Sequence, residues 1–214
     1  MVKLDILSDP ICPWCYIGKA HLDRALDAHP EHPFEIEWHP YQLNPDMPAE
    51  GMDRRAYLEG KFGGQQGAVR AYAPVAERAE AAGLNIDFGA ISRTPNTFDA
   101  HRLIHWAGLE GRQTAVVSAL FRAYFNQGRD IGARDVLVAI AAECGLDREV
   151  ITRLLATSAD AEDIRARDAS ARERGVTGVP CFVIADQHVI SGAQPPELWA
   201  QVIDELATRQ KSKA

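Results

Sequence analysis

The beginning of the chain alternates apolar and polar side chains in a way that predicts a strand, a helix and a second strand. In the stretch Val2–Leu7 apolar residues recur at every second position, which is the period of a half-buried strand. A helix is predicted over Tyr16–Ala28, where apolar residues recur at helical spacing until a His-Pro pair follows. The stretch Phe34–Leu43 alternates again, although Pro40 indicates that its late part is a bend or a sheet edge. The predicted order is therefore β-α-β.

Helical periodicity then dominates a long region from about Asp53 to Arg174. Apolar residues three and four positions apart predict separate helices within it. Gly108 and Gly145 stand where two of these helices would stop. The predicted helices are Phe98–Ala107, Thr114–Asn126, Ala133–Cys144 and Arg148–Ala156. We expect this region to form an all-helical block.

The last part of the chain returns to strand signals. Two short apolar runs, Cys181–Ala185 and His188–Ser191, flank a turn at Asp186 and Gln187, which predicts a hairpin. Two prolines then open a final helix over Glu197–Thr208, and a polar tail follows it.

The composition is that of an ordered globular protein. The chain has 214 residues, of which 46% are hydrophobic and 25% charged, and these values are close to the averages for folded domains. The length is compatible with one or two domains. The formal net charge is −7 and the basic residues are scattered. This disfavours nucleic acid as a partner, because few cations are clustered to neutralise phosphates.

The apolar stretches are too short or too interrupted to predict membrane targeting. Asp5 and Asp9 break the apolar run near the beginning of the chain before it could act as a signal segment. No stretch approaches the ~20 apolar residues that span a bilayer. We therefore expect a cytoplasmic protein without a membrane partner.

Cysteine spacing singles out one pair of thiols. Cys12 and Cys15 are separated by two residues, whereas Cys144 and Cys181 are isolated. Four cysteines are too few for a disulfide-stabilised secreted scaffold. The pair follows a predicted strand and begins a predicted helix, where free N–H groups and the helix dipole stabilise a thiolate. This position predicts a redox pair in which Cys12 attacks and Cys15 resolves.

A zinc site is the other chemistry that two close cysteines suggest. Zinc usually takes four ligands, but the chain has no second Cys-x-x-Cys motif and no histidine at ligand spacing from Cys144 or Cys181. His101 and His105 are four positions apart without the glutamate of a His-Glu-x-x-His motif. We expect no metal site, and surface or capping roles for these two histidines.

Four runs of sequence resemble a known family. They are residues 8–18 (SDPICPWCYIG), 43–45 (LNP), 97–103 (TFDAHRL) and 175–180 (GVTGVP). Together, and in this order over nearly the whole chain, they resemble the FrnE-like branch of the DsbA family of thiol-disulfide oxidoreductases. The resemblance implies an α/β fold, namely a thioredoxin fold with a large all-helical insertion. It implies strands around residues 2–8, 34–42, 181–185 and 188–191.

The resemblance also implies a domain division and an activity. Residues 1–48 and 162–214 would form a discontinuous thioredoxin-like domain, and residues 49–161 would form the helical insertion. The implied enzyme exchanges a Cys12–Cys15 dithiol or disulfide with protein or small-thiol substrates through a mixed disulfide at Cys12. No cofactor is expected beyond this pair, and glutathione is a candidate co-substrate.

Residues near the thiols acquire roles from the resemblance. Pro13 and Trp14 would tune the redox pair. Pro180 would be a cis-proline that faces the disulfide, and Val179 would offer backbone hydrogen-bonding groups to an extended substrate. Many relatives carry histidine where this chain has Trp14, and tryptophan supplies no cation to hold a thiolate. This departure argues against a strongly oxidising pair. Trp14 either offers an exposed apolar contact or is simply packed.

Three side chains are candidates to carry the proton of Cys15. Asp5 and Asp9 lie close to the thiols in sequence, and His39 lies on the second predicted strand. Each could act as a proton carrier, or could instead lie on a solvated face or form a turn.

The two isolated cysteines are expected to be structural. Cys144 is predicted to be a small buried apolar residue at the end of its helix. Cys181 follows Pro180, and successive strand residues point to opposite faces, so its thiol is expected to point away from the redox pair. The apolar run Phe182–Ile184 suits a strand covered on both faces, which would raise the pKa of Cys181.

Two other classes of function remain open at this point. The same split fold occurs in 2-hydroxychromene-2-carboxylate isomerases and kappa-class glutathione transferases, which typically carry serine where this chain has Cys12 because they activate the sulfur of glutathione. An intact pair of cysteines favours redox exchange over that chemistry. The third class is a chaperone or binding module that uses the helical block without turnover.

Overall fold

A four-stranded mixed sheet with helices on both faces organises the chain. The computed structural model describes residues 1–211. Its strands are β1 (Val2–Ser8), β2 (Phe34–Pro40), β3 (Met52–Asp53), β4 (Arg93–Thr94), β5 (Cys181–Ile184) and β6 (His188–Ser191). Its helices are α1 (Pro13–Ala28), α2 (Arg54–Phe62), α3 (Gln65–Ala81), α4 (Phe98–Leu109), α5 (Gln113–Phe121), α6 (Arg134–Glu143), α7 (Arg148–Leu155), α8 (Ala161–Glu173) and α9 (Pro196–Lys211), with a π-helical turn over Arg122–Asn126.

The main sheet has the strand order β2-β1-β5-β6. β1 and β2 are parallel, and β5 is antiparallel to both β1 and β6. A parallel pair needs a crossover connection, and α1 supplies it between β1 and β2. The predicted β-α-β beginning and the C-terminal hairpin are confirmed.

The two faces of the sheet carry different clusters of side chains. Phe182 packs on one face, where its ring meets Trp199 of α9 edge-on at a centroid distance of 4.7 Å. The neighbouring register pair, Leu7 and Cys181, packs on the other face with Ala171 of α8. Alternate residues of a strand point to opposite faces. The face to which a residue belongs therefore decides whether its side chain can reach α1.

The helical block closes the open edge of β2 through one side chain. Gln113 of α5 accepts the Trp38 N–H at 2.8 Å and donates to the Trp38 carbonyl at 3.0 Å. The indole N–H of Trp38 donates to the Thr114 hydroxyl at 3.0 Å. Unpaired backbone groups at a sheet edge are a template for association with other chains. Gln113 satisfies the backbone N–H and carbonyl of Trp38 and thereby ties α5 to the edge of β2.

Two predicted helices end differently from the prediction. α4 continues through Gly108, because the residue that leaves the helical conformation is Gly111, with φ at +66°. The segment predicted as one helix over Thr114–Asn126 is α5 followed by the π-helical turn. The predicted stop at Gly145 is confirmed, and its φ is +84°.

Smaller features differ from the prediction as well. β3 and β4 form a separate two-stranded ladder inside the region that was predicted to be helical. α1 begins at Pro13, earlier than predicted, and α9 continues through the predicted polar tail as far as Lys211. The rest of that tail, residues 212–214, lies outside the described residues. Among residues 1–211, every helix falls short of the length and apolarity that a bilayer-spanning segment requires.

A buried arginine fastens α4 to the segment that follows α7. The Arg102 guanidinium donates to the carbonyls of Leu154 at 2.9 Å, Thr157 at 2.8 Å and Ala159 at 2.9 Å. It also pairs with Asp99 at 2.8 Å. One side chain thus joins a carbonyl of the last turn of α7 to two carbonyls of the segment that follows it.

Replacing Arg102 with methionine should lower the free energy of unfolding by about 3 kcal/mol, because buried acceptors lose a charged donor. Urea unfolding followed by circular dichroism measures the loss. Arg153→Met is the matched control, since Arg153 is an exposed residue of α7, and it should change stability by less than about 0.5 kcal/mol. Equal losses in the two variants would contradict the role assigned to Arg102.

Candidate active site

The two paired cysteines begin α1 at the end of the central strand. Cys12 is the N-cap of α1, and its N–H donates to the Asp9 carbonyl at 2.9 Å. The Cys12 carbonyl accepts the N–H of Cys15 at 3.1 Å and that of Tyr16 at 3.2 Å, which opens the helix. Pro13 occupies the first helical position, where a missing N–H costs nothing. Both cysteines are free thiols and largely buried, with 3% of Cys12 and 1% of Cys15 exposed.

Cys15 holds its proton more firmly than a free cysteine does. Burial raises the pKa of Cys15 well above its usual value, and the hydrogen bond and negative charge of Cys12 act in the same direction. Hydrogen bonds from the Ser8 side chain and the Asp9 backbone oppose this shift without reversing it. Cys15 is therefore a thiol at neutral pH and needs a base before it can act as a nucleophile.

The loop before β5 faces the Cys12 thiol. The Val179–Pro180 peptide bond is cis. The Cys12 thiol donates to the Val179 carbonyl at 3.6 Å. The Pro180 ring packs against Gly18 of α1, where an added Cβ would meet the proline Cγ at 3.0 Å. The absence of a side chain at Gly18 lets this loop approach α1 closely.

The side chains that flank the thiols anchor α1 to the helical block. Trp14 is half-buried and packs against the cluster that contains Val75 and Ala79 of α3. Tyr16 stacks on Phe121 and Phe125 at centroid distances of 5.1 and 5.5 Å. Of the two roles left open for Trp14, packing is thus observed.

Asp9 is a buried carboxyl that ties the active-site loop to the segment after β2. It is fully inaccessible to solvent, and it accepts the N–H of Leu43 at 2.7 Å and that of Ile11 at 3.3 Å. His101 of α4, 2% exposed, places Nε2 at 3.9 Å from Asp9, and no partner is found for this nitrogen in the described part of the chain. Asp9 forms a turn, as one expectation had it, because its carboxyl accepts the N–H two residues ahead, but the expectation of a solvated face is wrong. The surface or capping role expected for His101 is wrong as well.

Both members of this buried pair have strongly shifted pKa values. Burial raises the pKa of Asp9 from the usual 3.8 to about 7, against the hydrogen bonds from Leu43, Ile11 and Thr97. Burial lowers the pKa of His101 from 6.5 to about 4. Between these values the pair holds one proton, which resides on the carboxyl while the imidazole is neutral.

Asp5 and His39 lie on the other face of the sheet. His39 is the register partner of Leu7, which packs on the α8 side. Because the Arg167 guanidinium can only donate, His39 accepts at Nδ1 (2.8 Å) and donates from Nε2 to Asp5 (2.5 Å). Burial lowers the pKa of His39. The two residues form a network with each other and not with the thiols.

A group of possible metal ligands occurs in this network. Oxygen and nitrogen atoms of Asp5, Glu37 and His39 lie within 4.8 Å of one another. Protein cations already occupy the group, since Lys3 pairs with Asp5 at 2.9 Å and Arg167 with Glu37 at 3.0 Å. The donors are thus matched by fixed positive charges rather than left open for an ion.

The two isolated cysteines differ in how well they fit the prediction. Cys181 is buried on the α8 face with Leu7 and Tyr41, apart from the cluster that contains the paired thiols. Burial raises its pKa, as expected. The expectation of cover on both faces is wrong, because Val183 and its neighbours line an open groove of about 1000 Å³ beside α8. Cys144 is only half-buried, since α6 ends just before it.

Sequence reasoning missed the partner of Asp9. His101 lies in one of the runs that carried the family resemblance, but its partner is far away in the chain. A buried histidine beside a buried carboxyl leaves no periodic signal. A local signal for the burial of His101 is that Phe98 and Ile104, three positions away on the same face of α4, are apolar.

The Asp9–His101 pair predicts opposite pH dependences of stability for two variants. Because the pKa of Asp9 in the folded state is about 7, the folded protein holds more protons at this group than the unfolded chain does. The contribution of Asp9 to the free energy of unfolding therefore falls as pH rises from about 4 to 7. A folded-state pKa of about 4 makes His101 gain stability as pH rises from about 4 to 6.5. The slope of stability against pH should therefore be more positive in Asp9→Asn than in the unaltered protein. In His101→Gln this slope should be less positive than in the unaltered protein.

Urea titrations at pH 4.5, 5.5 and 6.5, values chosen within the range of about 4 to 7 where the two groups titrate, measure these slopes. The differences from the unaltered protein isolate each group, because the other titrating groups are common to all three proteins. Slopes of the same sign in both variants would contradict the assignment of the proton to the carboxyl.

The chain is similar to known proteins over nearly its whole length. Residues 3–204 match the DSBA-like thioredoxin domain family. The uncharacterized protein YwbO from Bacillus subtilis (strain 168) is 29% identical over 213 residues, which cover 99% of each chain. The crystal structure of the probable DsbA oxidoreductase SCO1869 from Streptomyces coelicolor is 33% identical with a TM-score of 0.85, and the match covers 96% of this chain and 89% of that one.

More distant structures share the fold. A 2-hydroxychromene-2-carboxylate isomerase is 16% identical with a TM-score of 0.75 and coverage of 99% of both chains. The cytosolic disulfide reductase DsbM from Pseudomonas aeruginosa, solved with GSH, is 21% identical with a TM-score of 0.69, over 96% of this chain and 99% of that one. The predicted thioredoxin fold with a helical insertion is confirmed. Because the family match extends over most of its length, the chain belongs to the DSBA-like thioredoxin domain family.

Proposed function

We propose that this protein catalyses dithiol–disulfide exchange on protein or small-thiol substrates. The observation that carries the proposal is the pair of free thiols at the start of α1, with Cys12 at the helix N-cap and Cys15 one turn deeper. The start of a helix is the positive end of its dipole, which favours negative charge at the position of Cys12, while burial raises the pKa of Cys15. This asymmetry is what an attacking and a resolving thiol require.

The reaction proceeds in two balanced displacements. The Cys12 thiolate attacks one sulfur of a substrate disulfide, a mixed disulfide forms, and the other substrate sulfur leaves as a thiolate. Cys15 then loses its proton to a base and attacks the Cys12 sulfur, which releases the second substrate sulfur as a thiolate. The enzyme ends as the Cys12–Cys15 disulfide and the substrate is reduced by two electrons. The same steps run backwards when the substrate is a dithiol.

Val179 would hold the substrate during these steps. Its carbonyl accepts the Cys12 thiol at 3.6 Å in the dithiol form. Loss of that proton frees the carbonyl to accept an N–H from an extended substrate chain. Pro180 is buried against Gly18, and this contact would fix the position of the Val179 backbone relative to the thiols.

Asp9 is the best candidate for the base that takes the Cys15 proton. Its backbone contacts the Cys15 thiol, and its pKa of about 7 lets the carboxyl gain and lose a proton near neutral pH. On the other face of the sheet, His39 is bound to Arg167 and Asp5 to His39, so we do not assign them this role.

Pro13 and Trp14 would set the redox strength of the pair. Neither supplies a positive charge beside Cys12, and we therefore propose that the disulfide is only a moderate oxidant. A pair of that kind suits a reducing compartment, and we propose a cytoplasmic location on this ground. In the domain division of the proposal, residues 1–48 and 162–214 carry the chemistry and residues 49–161 shape the substrate surface.

Glutathione-dependent isomerisation is the second candidate. The shared fold of the 2-hydroxychromene-2-carboxylate isomerase structure favours it. The presence of two free thiols at the N-terminus of α1 favours redox exchange instead, because an enzyme that activates the sulfur of glutathione needs no resolving thiol.

The Cys15→Ala variant should accumulate a mixed disulfide at Cys12, because the attack that releases the substrate has been removed. Incubation with glutathione disulfide, followed by intact-mass and peptide mass spectrometry, should show one glutathione adduct, located on Cys12. Cys144→Ala in the same background is the control and should trap equally well, since Cys144 lies outside the pair.

Cys12→Ala should trap no adduct, because Cys15 is buried and protonated. A reactive Cys12 that alkylates readily but never forms a trapped adduct would favour glutathione-dependent isomerisation over redox exchange. In that case Cys12→Ala should still turn over an aromatic substrate.

A further inference from the structure

A buried arginine in the helical block has no negative partner among residues 1–211. Arg54 is 6% exposed, and one guanidinium nitrogen, Nη2, has no hydrogen-bond partner in the part of the chain that the structure describes. Its other amino group, Nη1, donates to the Tyr124 hydroxyl at 3.0 Å. The guanidinium carbon lies 5.2 Å from the Tyr72 ring centroid and 5.9 Å from that of Phe88. Aromatic faces thus surround the cation, but none of the ion pairs within residues 1–211 includes it.

Aromatic contacts connect this cation to the redox motif. Tyr124 packs edge-on against Phe125 at 4.9 Å, and Phe125 stacks on Tyr16, which directly follows Cys15. On the other side, Phe88 packs against the same cluster as Trp14 of the motif. A continuous series of ring contacts thus runs from Arg54 to the residue that follows Cys15.

A second unpartnered donor lies in the loop that follows β2. The Asn44 side-chain oxygen accepts the Tyr57 hydroxyl at 2.8 Å, while its buried Nδ2 has no acceptor among the described residues. Tyr57 is one turn along α2 from Arg54. The neighbouring Leu43 is bound to Asp9, whose carbonyl accepts the Cys12 N–H. This loop is thereby docked on the loop that presents the attacking thiol.

Tyr72, which packs on the Arg54 guanidinium, is influenced by the charges of both Arg54 and Cys12. Burial raises the pKa of Tyr72, the Arg54 cation opposes this shift, and the negative charge of a Cys12 thiolate adds to it. Tyr72 therefore experiences both the cation and the attacking thiol. A charge bound at Arg54 would therefore act on a group that the reacting sulfur also influences.

A buried cation without a counter-charge is unfavourable, and contact with aromatic faces offsets only part of the cost. An arginine fork with free N–H groups is the donor set that matches a carboxylate, and an amide N–H₂ completes it. We propose that Arg54 and Asn44 form a subsite for the carboxylate of a small thiol or disulfide whose sulfur reacts at Cys12. This inference rests on the proposed function and names its substrate class: low-molecular-weight thiols that carry a carboxylate, of which glutathione is the test compound.

Arg54→Met tests the subsite because methionine keeps much of the apolar bulk and removes the charge. The measured quantity is kcat/KM for glutathione disulfide divided by kcat/KM for 2-hydroxyethyl disulfide, which has no carboxylate. We expect this ratio to fall at least tenfold in Arg54→Met, since losing a charge-assisted hydrogen bond costs an order of magnitude or more. Arg55→Met is the matched control: it is the next residue of α2, exposed and paired with Glu59, and it should leave the ratio unchanged.

A binding measurement separates this inference from the proposed function. S-methylglutathione cannot exchange, and its binding to the unaltered protein, followed by calorimetry, requires no redox activity. It should bind at least tenfold more tightly than its diethyl ester, in which the carboxylates are neutralised. This comparison needs no variant and is unaffected if Arg54→Met fails to fold.

Equal binding of S-methylglutathione and its diethyl ester would overturn the subsite. An equal drop for both disulfides in Arg54→Met would do the same, because it would show a structural role only. Carboxylate-dependent binding by a protein that shows no thiol–disulfide exchange would support the subsite and reject the redox function. Exchange with protein disulfides, without any preference for carboxylate-bearing small ones, would reject the subsite and keep the function.

Discussion

Asp9 joins three segments that meet at the active site. Its carbonyl accepts the N–H of Cys12 at the start of α1, and its carboxyl accepts the N–H of Leu43 after β2 while facing His101 of α4. The position of the first turn of α1 therefore depends on a carboxyl that is entirely removed from water. A group with such burial is costly unless it is hydrogen-bonded and can hold a proton. The same properties that stabilise the loop also make Asp9 suitable to exchange a proton with Cys15.

The helical block contributes to the site through rings and one cation. Tyr16 and Trp14 of the redox motif pack against helices of the block, so α1 is shared between the sheet and the insertion. Arg54 supplies from the block a positive charge that the motif itself lacks, because Trp14 occupies the position between the cysteines where a cation could have stood. The thiol–disulfide exchange at the end of β1 and the selection of substrates by the helical block can thus be tested separately. Comparing glutathione disulfide with 2-hydroxyethyl disulfide separates the two.

The sequence was sufficient for features that local pattern and spacing determine. The alternation of Val2–Leu7, the Cys12–Cys15 spacing and the apolar runs of the C-terminal hairpin predicted the sheet and placed the thiols at a helix start. Features that arise from distant contacts could not be predicted. The burial of Asp9 depends on His101, a residue far along the chain, and the two-residue strands β3 and β4 are too short for a periodic signal. Val183 is apolar, as expected of a residue in a strand that is covered on both faces, but it lines the groove beside α8.

Redox titration in glutathione buffers, with disulfides mapped by mass spectrometry, tests the central claim most directly. The proposed exchange mechanism predicts a single two-electron transition in which one disulfide forms, between Cys12 and Cys15, while Cys144 and Cys181 remain thiols. The midpoint gives the reduction potential, and a value near the cytosolic glutathione potential would fit reductive exchange. The absence of a Cys12–Cys15 disulfide at every ratio of glutathione to its disulfide would contradict the mechanism.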